Sequence, residues 1–125
     1  MAITEGTYNG DWLAWEQEAQ FSREQITIGA SQTIVKGTVL GIETATGHYV
    51  AFNQDNSPAG SNAPVGISLG DYTVGVGVTA QGAAIVRDAL VIEDHLTFPA
   101  DIEAAEQVTA MAALKVLGII ARTEV

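Results

Sequence analysis

The most constraining feature of the sequence is a series of short segments in which apolar, often β-branched residues alternate with polar ones. In residues 25–29, for example, Ile26 and Ile28 alternate with Gln and Thr. Turn-forming Gly, Ser, Asn or Asp residues separate these segments, a pattern typical of β-strands joined by tight turns. Strands are therefore predicted within residues 25–29, 34–35, 38–42, 48–52, 65–69, 72–78 and 83–92, with a turn inside the last range and a loop over 53–64.

One helix is predicted near the C-terminus, over residues 101–117, before a closing strand at 119–121. Asp101 is placed to cap its start, acidic residues favour its positive N-terminal end, and Gly118 is suited to end it. Helical spacing puts a stripe of apolar residues on one side, which is expected to face the core. The stripe consists of Ile102, Ala105, Val108, Ala112 and Val116.

Two further apolar residues of this helix, Met111 and Leu114, fall outside the stripe. Two interpretations of them stay open. Either a wide core covers both side chains, or they form a possible interface with a neighbouring subunit.

Length and composition restrict the fold class and the partners. The 125 residues suit a single small domain, and the absence of Cys excludes disulfides and thiolate metal sites. We predict an α+β fold, mainly β with one C-terminal α-helix. The formal net charge of −10, from 15 acidic and 5 basic residues, argues against direct nucleic-acid binding and against an anionic membrane surface. No apolar run reaches the roughly 20 residues of a membrane span, and the N-terminal residues lack the basic-then-apolar order of a signal peptide. We therefore expect neither a membrane span nor a signal peptide.

Residues 1–24 differ from the rest, because large apolar side chains crowd among acidic ones there. Three interpretations are open: an amphipathic helix packed on the core, an arm whose aromatic side chains dock on another protein, or a disordered tail. We predict an N-terminal arm over 1–24 and a β-rich domain over 25–125. The large apolar residues are Trp12, Leu13, Trp15 and Phe21.

No motif predicts catalysis, a cofactor or a metal. The two histidines, His48 and His95, lack metal-ligand spacing, and no G-x-S-x-G motif is present. Alternate oxygen-bearing residues at 53–57 resemble a calcium loop only faintly, because the glycine and the distal glutamate of that motif are missing. We therefore expect that the chain is not an enzyme and that it binds no cofactor.

Eight motifs follow one another along most of the chain: TEG at 4–6, GDWL at 10–13, SREQITI at 22–28, KGTVLG at 36–41, TGHYV at 46–50, PVGI at 64–67, AIVRDA at 84–89 and ALKVLGIIAR at 113–122. In this order and spacing, the chain resembles the lambda-like head decoration proteins of tailed bacteriophages. The resemblance implies a small β-tulip-like fold with an extended N-terminal arm and no enzymatic activity. It also implies synthesis in the host bacterial cytoplasm and a place on the exterior of the virion.

The resemblance further implies two partners, the major capsid protein and the chain itself as a homotrimer. Trimers of this family sit at three-fold or quasi-three-fold sites of the expanded head and stabilise it against the internal DNA pressure. Their arm lies against the capsid protein and can add a strand to its sheet. The arm residues expected to contact the capsid are Ile3, Thr4, Tyr8, Trp12, Leu13, Trp15 and Phe21.

Two other functions stay open. An acidic carbohydrate-binding or adhesion module would present a concave platform of aromatic side chains. A calcium-binding module of a larger surface assembly would use the loop at 53–57.

Overall fold

The computed structural model describes residues 13–16 and 22–122. Within these residues there are ten strands, one α-helix and a 3₁₀ turn at Glu93–His95. The strands are β1 Leu13–Glu16, β2 Arg23–Ile28, β3 Thr33–Ile34, β4 Val39–Ile42, β5 Tyr49–Ala51, β6 Gly66–Ser68, β7 Tyr72–Thr73, β8 Ala80–Ile85, β9 Ala89–Ile92 and β10 Ile119–Arg122, and the helix is α1 Ala104–Val116. The predicted α+β class, mainly β with one C-terminal helix, is confirmed.

Five strands form a closed barrel in the order β2-β5-β4-β6-β8. Every pair is antiparallel except β2 with β5, which is parallel. Closure leaves no free strand edge in the barrel, which protects it from pairing with other chains. Along β4, Leu40 belongs to one buried cluster and Val39 to the other, so the barrel wall separates two parts of the core.

A second, three-stranded sheet lies beside the barrel in the order β1-β9-β10. Its centre strand β9 pairs antiparallel with β1 and parallel with β10. The parallel pair requires a crossover connection, which α1 supplies between the two strands. Leu13 of β1, Val91 of β9 and Ile119 of β10 meet Leu114 of α1 in one buried cluster. β1 and β10 are the two edges of this sheet.

The helix begins later than predicted, at Ala104 rather than at residue 101. Its N-cap is Glu103, because Glu103 and Glu106 form a reciprocal capping box, so the predicted cap at Asp101 is wrong. Gly118 ends the helix as predicted, with a φ of +87°.

The predicted inward stripe of the helix is also wrong. Ala110 and Leu114 are the buried residues of α1, whereas Val108 and Val116 are 66% and 85% exposed. Because the helix is apolar on both sides, its sequence spacing alone does not select the side that packs inward.

Each predicted strand is found, several are shorter than predicted, and the strand over residues 72–78 is shortened most. Residues 72–78 form a strand only at Tyr72–Thr73, because the glycines at 75 and 77 break the segment and Gly77 has a φ of +77°. β1 was not predicted as a strand. The predicted loop over residues 53–64 is found, because these residues form turns and no strand or helix.

Candidate functional site

Five of the predicted arm contacts, Ile3, Thr4, Tyr8, Trp12 and Phe21, lie outside the described residues. The described part of the arm begins at Leu13, where the chain enters β1. β1 pairs with β9 of the domain and β2 starts at Arg23, and the boundary at residue 24 stays a prediction.

An irregularity in the pairing of β1 with β9 places the side chains of β1 in different environments. Leu13 pairs with Val91 and Trp15 with Leu90, so two steps along β1 match one step along β9. Such a bulge turns the following side chain away from the face it would otherwise share. Leu13 is accordingly 6% exposed and Trp15 54% exposed. Leu13 is a core residue of the domain, and its role as a capsid contact stays a prediction.

Trp15 is the exposed aromatic residue of the described chain, since the other described aromatics are buried or half-buried. It lies on an edge strand that has no second partner strand among the residues described. An exposed Trp on an open strand edge combines a hot-spot side chain with unpaired backbone groups. This arrangement can bind an extended segment of another protein.

β1 is held against β2 by a side-chain ion pair that the sequence gave no reason to expect. The Glu16 carboxylate accepts from Arg23 Nε at 2.9 Å and from Arg23 Nη2 at 2.7 Å. This two-pronged geometry is the strong form of an Arg–carboxylate contact. Ser22 adds a buried hydrogen bond, donating from Oγ to the Asp88 carbonyl oxygen at 3.0 Å, at the turn that precedes β9.

A second charged group lies on the barrel surface near Tyr49. Arg87 Nη2 donates to Glu24 Oε2 at 2.8 Å between β2 and the end of β8. Burial raises the pKa of the Tyr49 hydroxyl above its ordinary value, and the Glu24 carboxylate raises it further, while the Arg87 guanidinium lowers it. Tyr49 therefore releases its proton at a higher pH than it would in an unfolded chain.

The two predicted subunit contacts of the helix lie on its inner side. Leu114 is fully buried in contact with its own chain, as the wide-core interpretation expects, and it offers no surface to another subunit. Met111 is half-buried against the same cluster, and its role at an interface stays a prediction.

The described residues do not form the metal, calcium or carbohydrate sites that were considered as alternatives. Among the described residues, 13–16 and 22–122, no three His, Asp or Glu side chains converge as metal ligands. In the loop considered for calcium, Asn53 Oδ1 accepts from the Asp55 backbone N–H at 2.8 Å and Asn56 Oδ1 from that of Gly60 at 2.7 Å, so both oxygens stabilise turns. The exposed part of the described chain also forms no aromatic platform for a sugar. None of the described helices is long and apolar enough to cross a membrane.

Comparison with known families gives one match. The family model of the bacteriophage lambda head decoration protein D matches residues 2–119. The match covers β1 through α1 and reaches the first residue of β10. No curated protein matches the chain.

Proposed function

Because the chain belongs to the bacteriophage lambda head decoration protein D family, a structural role on the phage capsid follows, and we propose that it binds the expanded head as homotrimers at three-fold and quasi-three-fold sites. The observation that carries this proposal is the family match over residues 2–119. The trimers would lie on the capsid exterior and tie neighbouring capsid subunits together. In this role the chain is a structural component and not an enzyme.

The contact with the capsid protein is assigned to β1 and the residues before it. Trp15 supports this assignment, because it is 54% exposed on a strand with an open edge. A strand of the capsid protein would pair with the β1 backbone, and Trp15 would fill a pocket beside it. Trp12 and the other arm residues outside the described range are proposed to extend the same contact.

The rigid attachment of β1 supports a mechanical role. Leu13 is buried in the core, and the Glu16–Arg23 ion pair joins β1 to β2. Force on a capsid contact at Trp15 would therefore reach the barrel directly. A trimer engages three such contacts, and after one is bound the other two bind at high effective concentration. The trimer would raise the work needed to separate capsid subunits under internal DNA pressure.

The charge of the chain supports an exterior location. A net charge of −10 disfavours contact with packaged DNA and keeps a protein present in many copies soluble. Synthesis in the host cytoplasm, followed by addition to the finished shell, is the order that we propose.

The test is co-sedimentation with undecorated heads of the phage that encodes the chain. Saturable binding to expanded heads and not to unexpanded precursor shells is expected, because the three-fold sites are proposed to form on expansion. Decorated heads should also resist a rise in temperature that opens undecorated ones. A folded chain that binds neither shell would overturn the capsid proposal.

Two variants test whether β1 forms the contact with the capsid protein. Trp15→Ala should weaken binding to expanded heads, because it removes the exposed anchor of β1. Val76→Ala is the matched control, since Val76 is 88% exposed on the loop after β7 and should leave binding unchanged. Equal binding by both variants would remove β1 from the capsid contact while leaving decoration itself intact.

A further inference from the structure

The helix α1 is apolar on two opposite sides. Its inner side carries the buried Ala110 and Leu114. The opposite side, named here the outer face of α1, carries Val108 and Val116, 66% and 85% exposed, with the exposed Ala105 and Ala112. Surface helices are normally polar away from the core, and a helix that is apolar all round is typically buried. The outer face of α1 therefore has the composition of a covered surface.

Two further features of this surface lie next to α1 in the chain or line the space beside it. Ile120 is 42% exposed on β10, the edge strand that follows α1. A groove of about 470 Å³ lies between α1 and the loop at 53–64, lined by the apolar Phe52 and Pro64 and by the polar Glu106 and Thr109. Gln54 also lines this groove, and its Oε1 atom is buried without accepting a hydrogen bond from any described residue. An occupant that brings an N–H donor would satisfy this acceptor.

We propose that the outer face of α1 and this groove form the docking surface for a second copy of the chain within the trimer. The proposal rests on the proposed function, because that function requires copies to meet. Each copy carries a net charge of −10, so contact between copies is favourable only where acidic side chains are few. Residues 107–123 contain no acidic residue and carry Lys115 and Arg122. Glu106 lines the groove, but its carboxylate accepts a hydrogen bond from the Glu103 backbone N–H.

Charge also selects the partner. A three-fold contact joins two different surfaces of neighbouring copies, so the outer face of α1 would meet another part of an acidic chain. Lys115, which is exposed beside Val116, is placed to pair with an acidic side chain of that neighbour. The two edges of the β1-β9-β10 sheet then have separate partners, the capsid protein at β1 and the next copy beside β10.

The proposal is tested by photocrosslinking on expanded heads. Val116→p-benzoylphenylalanine places a photoreactive group on the outer face of α1, and the same change at Val76 is the matched control, since both valines are more than four-fifths exposed. Irradiation of decorated heads should yield linked copies of the chain from position 116 and not from position 76. Mass spectrometry of the linked peptides identifies the partner.

Links from position 116 to the capsid protein, or no more linked copies than from position 76, would overturn the proposal while leaving decoration intact. If the Val116 variant does not bind heads, Ile120→p-benzoylphenylalanine probes the same surface and is judged by the same outcomes. Failure of the unsubstituted chain to sediment with heads would instead overturn the proposed function, and the docking surface with it. Sedimentation therefore separates the two failures.

Discussion

Leu13 and Trp15 lie two residues apart on β1 yet have opposite environments, because the pairing with β9 slips by one residue between them. In a regular strand, residues two apart face the same side. Here Leu13 is 6% exposed in the core and Trp15 is 54% exposed. One short strand thus anchors itself in the domain through Leu13 and places Trp15 on the surface.

This arrangement predicts opposite effects of two neighbouring substitutions. Leu13→Ala should lower the free energy of unfolding by about 2 to 5 kcal/mol, since it leaves a cavity in the core. Trp15→Ala should lower it by less than Leu13→Ala does, because about half of the Trp15 side chain is in solvent. Urea denaturation followed by circular dichroism measures both. Comparable losses of stability from the two variants would contradict the environments described for them.

The ion pair between Glu16 and Arg23 should contribute measurably to the attachment of β1. A double-mutant cycle with Glu16→Gln and Arg23→Met is expected to give a coupling free energy of about 1 kcal/mol, near the upper end for partly exposed pairs. The coupling should fall at about 1 M NaCl, because salt screens the pair.

The Glu24–Arg87 pair is the matched comparison for this cycle. Its side chains are more exposed, at 49% and 35% against 16% and 30% for Glu16 and Arg23. Because solvent screens an exposed ion pair more strongly, its coupling should be smaller. A larger coupling for Glu24 and Arg87 would show that solvent exposure does not determine the relative strength of these two pairs.

Local patterns were sufficient to predict most of the strands. In residues 25–29 the alternation of Ile26 and Ile28 with polar residues matches the burial on β2, where both are buried. The closure of five strands into a barrel could not be predicted in the same way, because it depends on pairings between distant segments such as Arg23 with Ile85. The parallel contact of Ile28 with Tyr49 likewise has no local signal.

The candidate surfaces were predicted less well, for a physical reason. Val108, Ala112 and Val116 recur at helical spacing, but so do Ala110 and Leu114 on the other side of α1. A helix with two apolar sides gives no preference between them, and the tertiary contact of Leu114 with the β-sheet decides. The position of Leu13 in the core was missed because a bulge follows it, and a bulge has no reliable signal in four residues.

Gly118 should be intolerant of a side chain. Its φ of +87° is unfavourable for other residues by about 1 to 2 kcal/mol, and an added Cβ would also collide with Asp88 Oδ1. Gly47→Ala is the control, because Gly47 has a φ of +76° but no atom near the added Cβ. Thermal denaturation should therefore show a larger loss for Gly118→Ala than for Gly47→Ala. Equal losses would mean that Asp88 moves aside without penalty.

Stability should fall at alkaline pH partly through Tyr49, whose pKa is raised mainly by burial and further by Glu24. A pKa raised in the folded state means that this group's contribution is fully present below about pH 10, the value for an unfolded chain, and is lost as pH rises through the folded pKa. The unfolding free energy should therefore drop as the pH rises above about 10, and it should drop less in Tyr49→Phe, which has no proton to release. Urea denaturation across this range measures the difference.

Glu24→Gln provides the control for this pH dependence. Removing the carboxylate charge lowers the pKa of Tyr49 toward its ordinary value, so the alkaline loss attributable to Tyr49 should shrink without disappearing, since burial remains the main cause. The order of alkaline loss should be the unsubstituted chain, then Glu24→Gln, then Tyr49→Phe. Parallel curves for the unsubstituted chain and Tyr49→Phe would contradict the effect of burial on this hydroxyl. A Glu24→Gln curve that coincides with Tyr49→Phe would instead make the carboxylate, rather than burial, the main cause.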